Sequence, residues 1–426
     1  MSTRMRPVGS QDLVTMKRHL LIPLVVSLLH TVTHAAPVTA EAIGRLPAAE
    51  QAAWTQYLDQ SKALAAADQA ALQAELAKNA MTQALKAPSG GDFKLPEEPG
   101  DAWFASDEAK VLADVVLSYQ TAAGGWSKHT GYARGKRQPG MLWSSQYEPG
   151  KSPHYLGTFD NRSTTEQMKL LAYTWQATQR EDCKAGFIKG LNYLLAAQYP
   201  NGGWPQVYPL EGGYHDDITL NDDAMTHVLE VLHMIASKDP ACAFLDDAMR
   251  ARATESFEKG IACVLKMQIV QNGKRTAWCA QHDALTLAPA EARAMEPAAL
   301  SGMESAGLLK FLMSLPSPEV EVVSCVDSGL AWLDAVKVTG LKRTKIDGKT
   351  AFLPDSASTE VFWARFYRLS DSQPIFPGRD GVIYTSFNDM AANNSLGYDY
   401  LSGRPGSVAV NGQKKWRKTM AKRVEN

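Results

Sequence analysis

The fold of this chain is decided by one stretch, residues 158–223. It opens with Thr158-Phe159-Asp160-Asn161 and runs through a helical pattern to Gln198-Tyr199-Pro200-Asn201-Gly202-Gly203-Trp204-Pro205-Gln206. It closes with Gly212-Gly213-Tyr214-His215-Asp216 and, further on, Asn221-Asp222-Asp223. Asp160-Asn161 and Asn221-Asp222-Asp223 each stand directly before an apolar pattern of helical period. We therefore expect oxygen-bearing side chains at corresponding ends of two helices.

The Gln-x-x-x-Gly-Gly-Trp ending of the first helical pattern is repeated along the chain. Complete copies begin at Gln120 and Gln198, and a degenerate copy, which ends in Asn272-Gly273, begins at Gln268. The copies are spaced by about 75 residues, which is typical of a repeat architecture. Companion helices are predicted after residues 164–167, 221–223 and 301–304.

Three such helix pairs predict an all-α fold, an (α/α)₃ toroid in which helical hairpins form a closed ring. A single hairpin cannot bury its apolar face alone, so the hairpins must stack. An open solenoid is the alternative architecture. In the ring, the inner helices direct their N-termini to one end, where unpaired N–H groups favour anions. Residues 361–367 and 381–384 are β-branched and aromatic, which predicts short strands and long loops over the open face.

The N-terminus has the pattern of an export signal. A basic Met16-Lys17-Arg18-His19 precedes the apolar residues 20–29, and a small-x-small pattern precedes Ala36. The apolar run is too short for a spanning helix. We expect residues 1–36 to be an upstream extension and signal peptide, 37–100 a helical arm and linker, and 101–426 the catalytic toroid. The mature protein is expected to be secreted or periplasmic and free of the membrane, and the start, Met1 or Met16, stays open.

Composition excludes some function classes. The formal net charge is −1 and 21% of residues are charged, so no nucleic-acid partner is indicated. The five cysteines contain no C-x-x-C pair, and zinc is therefore not indicated. An odd number leaves at least one free thiol in an exported protein. A single disulfide, Cys183–Cys242, stays open.

Three groups of residues could carry chemistry. Asp160, Asp222 and Asp223 supply the carboxylates that Ca²⁺ prefers, although the same residues could serve as helix N-caps. His282 could be an acid, a base or a ligand, or a structural residue. Arg293 could lie at the site or in an exposed salt bridge. Arg379 stands between glycines, which could direct its side chain towards the site or could simply form a turn. Each Gly-Gly-Trp is expected to plug a helix junction rather than to stack on sugar.

The sequence resembles the pectate lyases of polysaccharide lyase family ten over roughly residues 100–385. The resemblance rests on several ordered blocks: Thr158-Phe159-Asp160-Asn161, Ala197–Gln206, Gly213–Asp216, Asn221–Met225, Trp278–Asp283, Leu300–Ser305 and Gly378–Gly381. It implies an (α/α)₃ toroid, polygalacturonate as substrate, Ca²⁺ as cofactor and a monomer that acts by β-elimination.

The resemblance also implies roles for individual residues. Arg293 maps to the arginine that removes the proton, and Arg379 to one that grips a substrate carboxylate. Asp160 and Asp222, with the companion Asp223, map to the acidic residues around calcium. Substrate contacts are expected at Asn161, His215, Gln281, His282 and Ser301. Residues from Ser386 onward match no part of the family pattern.

The expected chemistry suits these residue types. Elimination requires removal of the weakly acidic C5 proton beside a carboxylate, and cations stabilise the charge that develops. Arginine is an awkward base because its pKa lies above about 12, so Arg293 could instead stabilise charge while hydroxide acts as the base. Both alternatives predict an alkaline rate optimum.

Other functions remain open from the sequence. Asp160 and Asp222 could act as the acid and base of an inverting hydrolase. Isoprenoid cyclases share the Gln and Trp repeat, but the export signal and the clustered Arg, His and Asp count against them. A non-catalytic pectin-binding module is the third possibility. Only a lyase yields an ultraviolet-absorbing product, and EDTA should abolish its formation.

Overall fold

The computed structural model of the chain describes residues 37–97, 99–148 and 151–424. The expected signal peptide lies outside these residues. Their α-helices are α1 (Ala40–Ile43), α2 (Ala48–Lys78), α3 (Asp101–Phe104), α4 (Asp107–Ser118), α5 (Thr165–Thr178), α6 (Glu181–Ala197), α7 (Ala224–Ala236), α8 (Asp247–Met267), α9 (Gly302–Ser314), α10 (Val320–Ala335), α11 (Phe387–Asn393) and α12 (Gln413–Val424). The protein is therefore mainly helical, as the sequence predicts.

The longer helices are arranged in pairs and in two layers. Helix α5 packs on α6, α7 on α8 and α9 on α10, so each pair is made of neighbours in the sequence. Helices α5, α7 and α9 follow one another in the inner layer, while α4, α6, α8 and α10 follow one another in the outer layer. The inner helix α7 has ten buried residues among its thirteen, because protein surrounds it on most sides.

The repeated Gln and Trp residues join neighbouring outer helices. Each glutamine amide donates one hydrogen bond within its own loop and one to the next outer helix. The second acceptors are Gly186 O on α6, Ser256 O on α8 and Cys325 O on α10, at 2.9, 2.9 and 3.0 Å from Gln120, Gln198 and Gln268. The indoles of Trp126, Trp204 and Trp278 donate back to the preceding outer helix at 2.8, 2.9 and 2.8 Å.

Trp278 restores the third copy of the motif, which looked degenerate in the sequence. The hairpin of β2 (Val270–Gln271) and β3 (Lys274–Arg275) is inserted between Gln268 and this tryptophan. The plug interpretation of Trp126 and Trp204 agrees with their burial, since both indoles are enclosed in the core.

The other strands are short. They are β1 (Ile218–Thr219), β4 (Gln281–His282), β5 (Pro289–Ala290), β6 (Leu300–Ser301), β7 (Leu341–Ile346), β8 (Lys349–Pro354), β9 (Trp363–Ala364), β10 (Phe366–Tyr367), β11 (Pro374–Pro377), β12 (Ile383–Tyr384) and β13 (Leu401–Ser402). One sheet has the order β1-β4-β5, and another has the order β12-β11-β10-β6. All of the pairings within these two sheets are antiparallel. The second sheet ends at β6, which leads directly into α9.

The N-terminal arm is fastened to loops of the helical body along the length of α2. Ser61 Oγ accepts a hydrogen bond from Leu210 N at 2.9 Å, and Asp68 accepts one from Ala123 N at 2.7 Å. Near the end of the helix, Glu75 forms a two-point ion pair with Arg137 at 2.7 and 3.0 Å. Before α2, Val38 N donates to Asp216 at 2.9 Å.

All five cysteines are buried and free, so the disulfide left open between Cys183 and Cys242 is not formed. Burial raises the pKa of the Cys279 thiol to about 11 and the pKa of each of the other four thiols to about 12. Within the described part of the chain, no helix has both the length and the apolar character needed to cross a bilayer.

Candidate active site

The acidic residues predicted from the sequence lie on two short 3₁₀ turns that contact each other. The turn Asp160–Arg162 leads into α5, and the turn Asn221–Asp223 leads into α7. Both turns contain left-handed residues, with φ of 50° at Asn161, 52° at Asp222 and 59° at Asp223. Asn and Asp tolerate this region better than most residues, which explains the composition of the turns. No side chain caps either helix, so the capping interpretation is wrong for these residues.

Asp160 is almost fully enclosed, with 3% of its surface exposed. One carboxylate oxygen bonds to the ammonium group of Lys128. The other oxygen is buried without a hydrogen-bond partner among the described residues. A buried carboxylate oxygen with no donor is costly unless something positive reaches it, so this oxygen is available to a cation.

The neighbouring turn adds two more carboxylates in a poorly solvated position. Burial, followed by the nearby charge of Asp160, raises the pKa of Asp222 to about 6. Burial and Glu304 raise the pKa of Asp223 to about 7. The Asp223 carboxylate lies against Gly307 on α9, where an added Cβ would come within 2.1 Å of it. Asp222 therefore lies close enough to Asp160 for the two carboxylates to repel each other, whereas Asp223 is directed towards α9.

Arg365 links this acidic pair to the sheet. It lies between β9 and β10, and its main-chain oxygen accepts from Gly302 N at the start of α9 at 3.0 Å. Its guanidinium bonds to Glu304 and to Asn221 Oδ1, the latter at 2.9 Å, and it approaches Asp222 at 3.8 Å. It also stacks over the ring of Tyr398 at 3.8 Å. This buried cation therefore connects the acidic turn to α9.

Arg293 lies on the other side of Tyr398. It follows β5 and forms a two-point ion pair with Glu296, with both N···O distances 2.7 Å. Tyr398 Oη bonds to the same arginine and to the same carboxylate. Hydrogen bonding to Glu296 raises the pKa of Arg293 above its ordinary value. Burial alone would raise the pKa of Glu296, but the bonds from Arg293 and Tyr398 outweigh it and hold that pKa below its ordinary value.

His215 completes the wall of the cleft. It is 6% exposed, and its Nε2 is 2.8 Å from Tyr155 Oη. Burial, followed by the charge of Lys128, lowers the pKa of His215 to about 4, so the imidazole is neutral at neutral pH. Lys128 itself lies over the ring of Tyr155 at 4.0 Å. A continuous set of contacts therefore joins His215 to Asp160 through Tyr155 and Lys128.

Arg379 occupies the exposed turn between β11 and β12, beside Gly397. Its side chain makes no hydrogen bond or ion pair with any residue in the described ranges. The Asn161 amide, by contrast, donates to Asp92 of the N-terminal arm at 2.8 Å. Arg379 is thus free to meet a ligand, while Asn161 is held by the arm.

Three residues expected to touch substrate are buried, and the polar atoms of two of them, His282 and Ser301, bond within the protein. His282 is fully buried in β4, where one ring nitrogen accepts from Cys279 N at 3.1 Å and the other donates to Leu287 O at 2.9 Å. Its neighbour Gln281 is 2% exposed. The Ser301 hydroxyl accepts from Glu304 N at 3.4 Å as the cap of α9. The structure does not support substrate contacts at His282 or Ser301, because their polar atoms already bond within the protein.

No group of three or more His, Cys, Asp or Glu residues within the described ranges is arranged to hold a metal ion. Asp160 and Asp222 are therefore at most a two-carboxylate site, and further oxygen ligands would have to come from water, main chain or ligand.

The sequence analysis missed four residues of the site. Lys128 follows the first Gly-Gly-Trp directly, and Glu296 stands three residues after Arg293, so both were within reach of local inspection. Arg365 is part of the stretch that was predicted as a strand. Tyr398 belongs to the segment after Ser386, where we expected no resemblance to the family; that expectation was wrong, because the family match reported below extends to residue 409.

Comparisons with known proteins show the family to which the chain is related. Residues 120–409 match the model of the family described as pectic acid lyase. A family 10 polysaccharide lyase from Cellvibrio cellulosa is 33% identical, with a TM-score of 0.63 over 76% of this chain and 99% of that one. An aspartate-to-alanine mutant of a Cellvibrio cellulosa family 10 polysaccharide lyase, in complex with trigalacturonic acid, gives the same identity and TM-score over 74% and 96%. No curated protein matches significantly.

Proposed function

Since this chain belongs to the pectic acid lyase family, polysaccharide lyase family 10, and is a pectate lyase, we propose that it cleaves polygalacturonate by calcium-assisted β-elimination, with Arg293 next to the reacting carbon. The mutant enzyme of the same family that holds trigalacturonic acid supports this substrate. The anionic polymer suits a cleft whose accessible groups include the guanidinium groups of Arg293 and Arg379.

One observation carries the proposal. Asp222, Arg365, Tyr398 and Arg293 form an unbroken series of contacts, so the acidic pair and the arginine expected to act on the C5 proton border one site. They are far apart in the sequence, and only the fold brings them together. Residues with charges of both signs then face a substrate that carries a carboxylate beside the bond to be broken.

Asp160 and Asp222 are the residues that would hold calcium. The partnerless buried oxygen of Asp160 and the raised pKa of Asp222 both indicate excess negative charge that a cation would relieve. The fit requires that Lys128 share or release its Asp160 oxygen. When bound to the uronate carboxylate, the ion would act as a Lewis acid that makes the C5 proton more acidic. Asp223 is directed towards α9, so it would add negative charge beside Asp160 and Asp222 without binding the ion itself.

The reaction can be written with all atoms accounted for. A base removes the proton from C5, the electron pair forms a C4–C5 double bond, and the C4–O bond breaks with its electrons on the leaving oxygen. That oxygen then takes a proton. The products are a new reducing end and a sugar with a double bond conjugated to its carboxylate.

Arg293 can serve this reaction in two ways. As a base it must lose a proton, and the Glu296 pair opposes that loss in the substrate-free protein. We propose that substrate binding loosens this pair, since the guanidinium would then face a substrate carboxylate instead. If the pair persists, Arg293 remains a cation that stabilises charge while hydroxide removes the proton.

The other two arginines have different proposed roles, one towards the substrate and one towards Asp222. Arg379 is exposed and unpaired among the described residues, so it can meet a sugar carboxylate without breaking an existing bond. Arg365 is buried and bonded to Glu304, and we propose that it positions Asp222.

The ring architecture, the location outside the cytoplasm and the monomeric state are also proposals. We propose the (α/α)₃ toroid; the order of helix contacts, in which the inner and the outer helices each run in sequence, supports the stacking of consecutive hairpins on which such a ring is built. We propose that the chain acts outside the cytoplasm, where its polymeric substrate occurs, and as a monomer.

The decisive experiment measures ultraviolet absorbance on de-esterified polygalacturonate with and without EDTA. We expect absorbance to rise at alkaline pH, to stop with EDTA and to return with added Ca²⁺. Arg293→Ala should lose nearly all turnover while keeping much of the affinity. Release of reducing ends without absorbance would instead indicate a hydrolase, and turnover that persists in EDTA would remove calcium from the mechanism.

A further inference from the structure

A cavity of about 340 Å³ lies between α9 and the C-terminal segment, next to the acidic turn. The charged residues at its wall are Asp222, Asp223, Glu304, Lys310, Arg365, Asp399 and Arg404. The volume lies within the range of about 300–1,000 Å³ that small-ligand sites usually have. The cavity shares Asp222, Asp223, Glu304 and Arg365 with the site above, but Arg293 does not line it, so the proposed chemistry gives no role to its other residues.

Two of its cations have no hydrogen-bond or ion-pair partner among the described residues. Arg404 and Lys310 are both exposed, and neither side chain makes a hydrogen bond or ion pair with a residue in the described ranges. Arg365, in contrast, is already bonded to Glu304 and Asn221. The two free cations come from separate elements, one from α9 and one from the turn after β13, and they border a single cavity.

The mixture of charges suits one class of ligand. A uronic acid unit carries hydroxyl groups, which donate to carboxylates such as Asp223 and Asp399, and one carboxylate, which accepts from Arg404 and Lys310. A neutral sugar lacks a carboxylate with which the two cations could pair. A simple inorganic anion would be repelled by the acidic residues that share the wall.

We propose that this cavity is a subsite for a galacturonate unit of the bound polymer. The unit lies beyond the one that meets Asp160 and Asp222, and its free carboxylate accepts hydrogen bonds from Arg404 and Lys310. The proposal rests on the proposed function, because it assumes that the polymer runs past Asp222. It assigns a role to part of the C-terminal segment and predicts that a methyl ester at this position weakens binding.

The test compares wild type with Arg404→Gln and Lys310→Gln over a series of galacturonate oligomers from two to six units. In wild type, kcat/KM should rise with length until the cavity is filled. Each substitution should raise KM for the longer oligomers by about 3- to 10-fold, since a hydrogen bond to a charged group is lost, and should leave kcat within about 2-fold. Lys349→Gln, at an exposed position on β8 outside the cavity, is the matched control and should change neither constant.

Titration calorimetry with the six-unit oligomer in EDTA separates the two proposals. It measures binding without turnover, and the substitutions should weaken it by a similar factor, with a smaller effect on an oligomer whose carboxylates are methyl-esterified. Equal affinities and equal KM values for wild type and Arg404→Gln would overturn the subsite. A wild type that binds the oligomer but never produces absorbance would instead overturn the proposed function.

Discussion

At the scale of single residues, the two hydrogen bonds between Arg293 and Glu296 govern what the arginine can do. The carboxylate is buried and its bonds raise the pKa of the guanidinium. Glu296 also accepts from Tyr398 and so keeps its own charge. A structure built in this way favours a protonated Arg293 until something displaces Glu296.

Glu296→Gln distinguishes the two roles of Arg293. The substitution removes the charge that raises the pKa of Arg293, so the neutral guanidine becomes accessible at lower pH. If Arg293 is the base, the alkaline rise of kcat/KM should move to lower pH by about one unit or more. The measurement is the pH–rate profile of both proteins on polygalacturonate.

If hydroxide is the base, Arg293 only has to stay charged. The rise of kcat/KM with pH should then keep its position in Glu296→Gln, whatever happens to its height. Asp347→Asn, in the exposed turn between β7 and β8, removes a carboxylate elsewhere and should leave the whole profile unchanged.

Asp217 is a second residue whose environment makes a measurable prediction. It is fully buried, neither of its carboxylate oxygens has a partner among the described residues, and burial, followed by Asp283, raises its pKa to about 9. The unfolded chain releases this proton near pH 4. The folded state therefore binds more protons between these two values, and its stability falls as pH rises through that window.

Asp217→Asn should remove this pH dependence. The amide resembles the protonated carboxyl in shape, so the variant should match wild type near pH 4 and exceed its free energy of unfolding by about 1–3 kcal/mol near pH 8. Melting temperatures of both proteins from pH 4 to pH 9 give the comparison. Parallel curves over this range would contradict the assignment.

At the scale of elements, the repeated glutamines are joints between consecutive outer helices. Gln268 is 4% exposed and donates to Thr276 O and Cys325 O, whereas Gln120 is only partly buried. When a buried carbonyl group loses its hydrogen-bond donor, water cannot reach it to replace the lost bond.

Gln268→Met should therefore lower the free energy of unfolding by about 1–2 kcal/mol. Gln120→Met, in the same motif of the first copy, should cost less, because water can reach the carbonyl groups that it exposes. Urea midpoints of both variants provide the measurement. A loss at position 120 as large as that at position 268 would show that burial does not set the strength of these joints.

The sequence was most informative for elements with strong local signals. Helices α4, α5, α6, α7, α9 and α10 follow from apolar periodicity, and Ser106, a residue type that favours the N-cap position, caps α4 with an Oγ···N distance of 3.2 Å to Ala109. Trp278 was missed as a motif residue because the β2–β3 hairpin changes its spacing from Gln268. The β7–β8 hairpin was also missed, although Asp347 and Gly348, with φ of 51° and 77°, make a turn common in hairpins.

The site was only partly predictable for a physical reason. Asp160, Asp222 and Arg293 lie in distinctive local blocks, whereas Arg365 and Tyr398 acquire their role through contacts between distant segments. His282 shows the opposite case, since a local block that looked chemical turned out to be filled with main-chain hydrogen bonds.

At the scale of the whole molecule, the proposed calcium site at Asp160 and Asp222 would link ion binding to global stability. An ion that binds the folded state alone stabilises it by about 2.7 kcal/mol at a concentration 100 times its Kd. We expect Ca²⁺ to raise the melting temperature of wild type at pH 8. The effect should fade as pH falls through about 6, where Asp222 takes up a proton and protonated carboxyls do not bind the ion.

Asp160→Asn should abolish this calcium-dependent rise, and it should also lower the melting temperature in EDTA, because Lys128 loses the carboxylate with which it pairs. Asp347→Asn again serves as the control and should keep the rise. A wild-type melting temperature that is the same in Ca²⁺ and in EDTA would argue against any calcium site formed by these turns.

The five buried thiols have a consequence for how the protein can be made. No covalent cross-link has to form for the described residues to reach this arrangement, and the raised thiol pKa values leave little thiolate for oxidants to attack. Reductant should therefore leave the unfolding curve unaltered, and a strongly reducing host should yield the same folded enzyme as an oxidising compartment.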